Sequence, residues 1–155
     1  MNGTGLIASA LLILLLLPIV VATWERKRVP DALYIAIAAA GIGYAGLRDG
    51  LMGALLAGGI GLACLLLVAA AVGLARTRWG VRLLVGSHIK LLGAGATWLG
   101  APGAATMILL ALFLFIACVI LLRARKAPDI RPEFAPIAAI AILAVQFQHV
   151  LLTVY

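Results

Sequence analysis

The sequence predicts an all-α integral membrane protein, a six-helix transmembrane bundle forming a single domain over residues 1–155. Three observations carry this. Hydrophobic residues make up 66% of the chain and charged residues only 11%, with a mean hydropathy of +1.24, a composition outside that of water-soluble domains. The few charges leave uncharged stretches of roughly 20 residues, the length a helix needs to span a bilayer. The basic residues also sort into alternate loops, so the formal charge of +7 reports membrane orientation and not nucleic-acid binding.

Charge, Pro and Gly set the edges of six apolar segments. The first, about Leu6 to Thr23, has seven consecutive Leu or Ile residues from Leu11 to Leu17. Met1 to Gly5 carry no Lys or Arg where a signal peptide has a basic start, so this segment is expected to be a retained helix. The second, about Pro30 to Gly46, follows the basic stretch Glu25-Arg26-Lys27-Arg28 and opens on Pro at a position that helix starts tolerate. The third, Leu51 to Ala75, is the longest. The fourth, about Leu83 to Leu99, is unusual in containing Ser87, His88 and Lys90. The fifth runs Gly103 to Leu122, and the sixth Pro136 to Val154. Gly58-Gly59-Ile60-Gly61 and Gly93-Ala94-Gly95-Ala96 supply small-residue faces for close helix packing. Cys64 and Cys118 lie inside apolar runs and read as small packing residues, not as a disulfide or metal site.

Loop one-two holds Arg26, Lys27 and Arg28; loop three-four holds Arg76, Arg78 and Arg82; loop five-six holds Arg123, Arg125, Lys126 and Arg131. Ten of the twelve basic residues thus fall in alternate loops, while the opposite loops hold Arg48 beside Asp49. The positive-inside rule makes the three basic loops cytoplasmic and puts both termini outside. Five or seven spans would scatter these charges over both faces.

Two cytoplasm-facing segments carry more specific patterns: Thr23-Trp24-Glu25-Arg26-Lys27-Arg28-Val29-Pro30-Asp31, and Val85-Gly86-Ser87-His88-Ile89-Lys90-Leu91-Leu92 continuing to Trp98-Leu99-Gly100. Together they resemble the type IV prepilin peptidases, membrane aspartic proteases that remove leader peptides from pilin-like precursors. Val29-Pro30-Asp31 matches the end of that family's first motif. Lys90-Leu91 and Trp98-Leu99-Gly100 match the tail of its second, Gly-x-Gly-Asp-x-Lys-Leu with a later Leu-Gly pair. Pro132-Glu133-Phe134-Ala135-Pro136 looks like the family's entry into its last helix. The resemblance covers about Leu6 to the C-terminus and corresponds to short members without the cysteine-containing domain used for N-methylation. It implies residence in a bacterial cytoplasmic (inner) membrane, membrane lipid and a pilin-like precursor or pilus or secretion assembly protein as partners, and no cofactor.

The departures fall on the chemistry. Thr23 stands where the family has its first aspartate and His88 where it has its second, with Val85 and Ser87 in place of two glycines. An aspartic protease needs two carboxyl groups close enough to share one proton, one activating water while the other protonates the carbonyl oxygen or leaving amine. Thr23 has no group that serves as that base, and His88 alone supplies half of a pair. Of the five acids, Glu25 is turned about 200° from Thr23 on a helix, Asp31 reads as a turn or cap, Asp49 is expected outside, and Asp129 and Glu133 lie in a polar loop. No second carboxylate is placed to substitute.

His88 and Lys90 lie at the membrane boundary, where ionisable residues are functional or snorkelling. A Thr23–His88 nucleophile and base pair would lack an orienting third group. Gln146, Gln148 and His149, with Tyr155, Trp24 and Trp79, read as a membrane-edge belt. Two classes remain: a non-catalytic relative that binds a pilin-like helix or membrane partner in pilus or secretion assembly, and an active prepilin leader peptidase using substitute residues. A small transporter is weaker, because the sequence shows no paired half-repeats.

Overall fold

With so few charges and so many Leu, Ile and Ala, every backbone polar group that enters lipid must be satisfied within its own helix, and the described residues are helical almost throughout. The computed structural model describes the backbone of residues 3–25, 27, 29–79, 86–124 and 133–152; side chains 3, 4, 79, 123, 124 and 149–152 lie outside the description. Four helices run in order: α1 (Gly3–Trp24), α2 (Asp31–Trp79), α3 (Gly86–Ala124) and α4 (Phe134–Leu152). α1, α2 and α3 are each long and apolar enough to cross a membrane. No strand occurs among the described residues.

The six separate helices expected from the sequence are therefore four. The loops expected near residues 47–50 and 100–102 do not exist as loops, since helix runs up to and away from a single glycine at each place. Gly50 has φ 70°, ψ −163° and Gly100 has φ 68°, ψ −180°, a region that only glycine occupies without strain. At Gly50 the helix folds back on itself. Ile42 Cδ1 lies within reach of Gly58, where a Cβ would meet it at 3.6 Å, and Gly46 similarly faces Ala54 at 3.3 Å, pairs symmetric about the glycine that a straight helix would hold far apart. At Gly100 the same reversal brings Met107 Sδ against Gly95, 3.2 Å from a Cβ placed there. The expected boundaries shift accordingly. The arms of α2 are residues 31–49 and 51–79, and those of α3 are 86–99 and 101–124, so Pro102 falls in the first turn of an arm, where its missing N–H costs nothing.

Both turns have the same sequence form, Gly50-Leu51-Met52-Gly53 and Gly100-Ala101-Pro102-Gly103. The second glycine of each abuts the residue just before the turn: a Cβ on Gly53 would lie 2.6 Å from Asp49 Cβ, and one on Gly103 2.8 Å from Leu99 Cβ. This pair of like turns is an internal correspondence that hydropathy alone did not disclose.

α2 and α3 share the largest interface, α4 packs on α3, and α1 packs on α4 and α2. Glycine makes the α2–α3 contact possible. A Cβ on Gly61 would sit 3.1 Å from the Gly93 carbonyl oxygen and against Thr97 Cγ2, and one on Gly93 would sit 2.9 Å from Leu65 Cβ. The small-residue faces thus meet each other. Cys64 is buried there and its Sγ–H points to the Leu92 carbonyl at 3.7 Å, the packing role expected of it. Further along, the Trp98 indole Nε1–H donates to the Ile37 carbonyl at 2.9 Å and its ring stacks on Tyr44 at 5.8 Å. Gly41 makes room for that indole, because a Cβ at Gly41 would lie 2.7 Å from Trp98 Cδ1. Outward-facing Ile7, Leu14, Leu47, Leu51 and Leu67 are largely exposed, as befits a surface covered by lipid. Trp24 is exposed at the end of α1, consistent with a membrane-edge belt, but Gln146 is not part of one: it is only 4% exposed, inside the bundle. The side chains of Trp79, His149 and Tyr155 lie outside the described residues.

Gly41→Ala should cost about 1–3 kcal/mol by overpacking, read as a lower unfolding midpoint in detergent, while Gly59→Ala, where a Cβ meets nothing within 4 Å, should leave the midpoint unchanged or raised. Gly50→Ala and Gly100→Ala also meet no atom within 4 Å, yet each should destabilise by about 1–3 kcal/mol through backbone strain alone. Neutral substitutions at both turns would refute the hairpin geometry.

Candidate functional site

The end of α1 and the starts of α2, α3 and α4 converge at one end of the bundle. The two glycine turns produce this convergence, because each returns its helix to the side from which it came. There α2 begins with Asp31, one residue after Pro30, and α3 begins with Gly86, Ser87 and His88.

Asp31 and Lys90, taken from the two separate motif segments, form one contact. Lys90 Nζ donates to both carboxylate oxygens of Asp31, at 2.7 and 2.8 Å, across 59 residues of sequence. Both side chains remain substantially open, 45% for Lys90 and 67% for Asp31, so the pair ties α2 to α3 at the rim and not in the core. Asp31 is thus engaged by a cation from another helix, a role beyond the turn or cap read from sequence. Leu91, the next motif residue, is fully buried, and Gly100 forms the far turn of α3. One helical turn into α2, the buried Tyr34 hydroxyl is in hydrogen-bonding reach of the Ser87 side chain. Neither residue pair was legible as a partnership in the sequence, although the i, i+3 spacing of Asp31 and Tyr34, and of Ser87 and Lys90, puts each pair on one helix face.

Thr23 and His88, the two positions that the sequence resemblance aligns with the aspartates of the prepilin peptidases, do not join this cluster as a pair. Thr23 Oγ1 donates to the Ile19 carbonyl of its own helix at 2.7 Å. No Cα of α1 comes within 8 Å of any Cα of α3 among the described residues, so Thr23 and His88 are not brought together. The half-buried His88 ring packs against Phe134 at the start of α4, 5.2 Å between centroids and tilted by 43°. Phe134 in turn meets Phe115 edge-on at 5.6 Å. The histidine is therefore part of an aromatic contact linking α3 to α4, a geometry that contributes about 0.5–1.5 kcal/mol per pair. Glu25 pairs with Lys27 at 2.7 Å just past α1, Asp49 with Arg48 at the opposite end, and Glu133 is exposed. Arg26, Arg28, Arg82, Arg125, Lys126, Asp129 and Arg131 lie outside the described residues, and so does the Arg123 side chain. No group of three or more His, Cys, Asp or Glu side chains is placed to hold a metal among the described residues.

Beside the Asp31–Lys90 bridge a groove of about 320 Å³ opens between the arms of α2 and the first arm of α3. Asp31, Tyr34 and Lys90 stand at its mouth, and Gly58, Gly61 and Gly93 line it further in. Chemically the site offers an ion pair, two hydroxyls and a small-residue floor. It holds one carboxylate against an ammonium, where an aspartic dyad would hold two carboxyls.

No protein-family model, no curated protein and no solved structure matches this chain.

The Asp31–Lys90 pair, open to its surroundings, should contribute a coupling of about 0.2–1 kcal/mol in a double-mutant cycle of Asp31→Asn and Lys90→Met followed by chemical unfolding in detergent. A coupling of zero would remove the bridge from the energetics of the α2–α3 contact.

Proposed function

We propose that this protein is a non-catalytic, prepilin-peptidase-like membrane protein that binds a pilin-like helix or a membrane partner during assembly of a type IV pilus or related secretion machine. The observation that supports this reading most is the Asp31–Lys90 ion pair. It unites Val29-Pro30-Asp31 with Lys90-Leu91, the two segments that carry the resemblance, in one place beside a groove. At the same end, the positions that would need carboxylates hold a threonine bonded into its own helix and a histidine packed on Phe134. In this reading the segments that would recognise a partner lie together, while threonine and histidine replace the two carboxylates of a protease.

The groove suits a helix as ligand. Its glycines allow close approach of a second backbone, the means by which helices associate in lipid without a hydrophobic gain. In this reading the rim ion pair would lie near the membrane surface, where a charged leader on such a precursor would leave the lipid.

In this reading the chain sits in a bacterial cytoplasmic membrane and crosses it six times, the two glycine turns counting as hairpins on the outer side. Arg76, Arg78 and Lys27 then mark the cytoplasmic end, with Arg48 and Asp49 outside. A reporter fused after Tyr155 should be active only outside the cytoplasm.

The activity test is cleavage of a panel of prepilins by the purified protein in detergent, beside a variant carrying Thr23→Asp and His88→Asp. The natural protein should not cut, while retaining crosslinking to a pilin-like helix that His88→Ala leaves unchanged. Cleavage by the natural protein that is lost in His88→Ala would establish the alternative, an active leader peptidase with substitute residues.

A further inference from the structure

At the end of the bundle opposite the Asp31–Lys90 bridge, two clefts open onto the lipid-facing surface and share one charged mouth. One, of about 430 Å³, lies between α1 and the first arm of α2, with Ile7, Leu11, Gly43 and Leu47 among its walls. The other, of about 360 Å³, runs along the second arm of α2 and the Gly100 turn, past Met52, Leu56 and Ile60. Only Tyr44, Arg48 and Trp98 belong to both. The stacked Tyr44 and Trp98 rings form the partition between them, and Arg48 stands over each.

Depth and charge identify an occupant. From Arg48 to Ala40 in the first cleft, and from Met52 to Ile60 in the second, each extends eight residues along a helix, about 12 Å at the rise of an α-helix. Half of a bilayer's hydrocarbon core is about 15 Å. Each cleft is thus deep enough for most of one acyl chain within a single leaflet, and its volume lies in the range of small-molecule sites, roughly 300–1,000 Å³. At the mouth, Arg48 donates through Nε to both oxygens of Asp49, at 3.3 and 3.1 Å. Among the described residues its terminal nitrogens have no other partner, so they keep their N–H groups for a phosphodiester, which guanidinium groups bind well. Asp49, half-exposed beside it, presents a carboxylate to any cation carried by the same headgroup.

We propose that this end binds one zwitterionic aminophospholipid, phosphatidylethanolamine in chemical class. One acyl chain occupies each cleft, the phosphate rests on Arg48, and the primary ammonium rests on Asp49. A purely anionic headgroup would meet Asp49 unfavourably, and a quaternary choline would lack N–H donors for it. The site is distant from the motif cluster and does not depend on the function proposed above.

Native mass spectrometry of the delipidated full chain, offered phosphatidylethanolamine, phosphatidylglycerol and phosphatidylcholine with identical acyl chains, tests this directly. The natural protein should retain phosphatidylethanolamine about tenfold over the other two. Arg48→Gln should lower retention of every phospholipid, and Asp49→Asn should abolish the preference over phosphatidylglycerol while retention persists. Gly43→Leu provides the steric test, since a Cβ at Gly43 meets nothing within 4 Å and the larger side chain fills the first cleft without disturbing the helix. It should reduce retention several-fold with an unchanged unfolding midpoint. Equal retention of the three lipids by the natural protein, or retention unaffected by Gly43→Leu and Arg48→Gln, would overturn the proposal.

Discussion

The architecture depends on one contact, the face-to-face approach of Gly61 on α2 and Gly93 on α3. In lipid a buried leucine gains nothing over a leucine in contact with acyl chains, so helices are held by close van der Waals fit and interhelical hydrogen bonds. At this crossing a Cβ on either glycine would strike the opposite helix. The same closeness allows a single indole N–H to reach across to the Ile37 carbonyl, and Lys90 to reach Asp31. Trp98 and Lys90 are eight residues apart on the first arm of α3, so the two bonds clamp that arm to α2 on either side of Gly93. Tyr44 then stacks on the fixed indole. From that stack follows the partition between the two clefts at the far end.

The glycine turns supply the complementary constraint. A helix can reverse through one residue only if that residue accepts a positive φ with an extended ψ, and only if the two arms can begin to pack at once. Gly50 and Gly100 meet the first condition, and Gly53 and Gly103 the second. Because both turns lie at one end, the end of α1, both ends of α2 and of α3, and the start of α4 gather at the other. The charged residues follow suit: Lys27, Asp31, Arg76, Arg78 and Lys90 belong to the motif end, while Arg48 and Asp49 flank a turn. The sorting of basic residues visible in the sequence and the hairpins visible in the structure are thus two expressions of the same alternation.

What the sequence disclosed was what composition and short-range order carry. Helical class, membrane-length apolar stretches, the small-residue faces, and Asp31 and Lys90 as residues to watch all came from charge spacing and local motif. The connections did not. Nothing in hydropathy distinguishes a one-glycine reversal from a short loop, because the charged Arg48-Asp49 before Gly50 breaks the apolar run in the same way for either; the repeated Gly-x-x-Gly was the available signal, and it is too common among membrane helices to be decisive alone. The bonds from Trp98 to Ile37 and from Lys90 to Asp31 span about sixty residues and are set by helix crossing, which no local pattern encodes. Gln146 looked interfacial from its place near a helix end, yet the inward turn of α4 at that residue buries it. Thr23 and His88 were singled out together by motif position alone, and their helices do not meet.

The chemistry of the motif end follows from what its groups are already bonded to. A hydrolytic carboxyl pair works because two like groups compete for one proton, leaving one as base and the other as acid. Among the described residues Asp31 has no such competitor: both its oxygens accept from an ammonium, so the pair orients α2 against α3. Thr23 satisfies its hydroxyl within α1, and His88 rests on Phe134, a contact that orders the start of α4. Asp31 and His88 thus hold one helix to another, and Thr23 bonds within its own. The rim is bridged by the ion pair and the groove beside it is lined by Gly58, Gly61 and Gly93, an arrangement that the proposed helix-binding role would use through shape. Under that proposal binding needs no bond to be made or broken, and the ion pair at the mouth sets how deep the incoming helix sits.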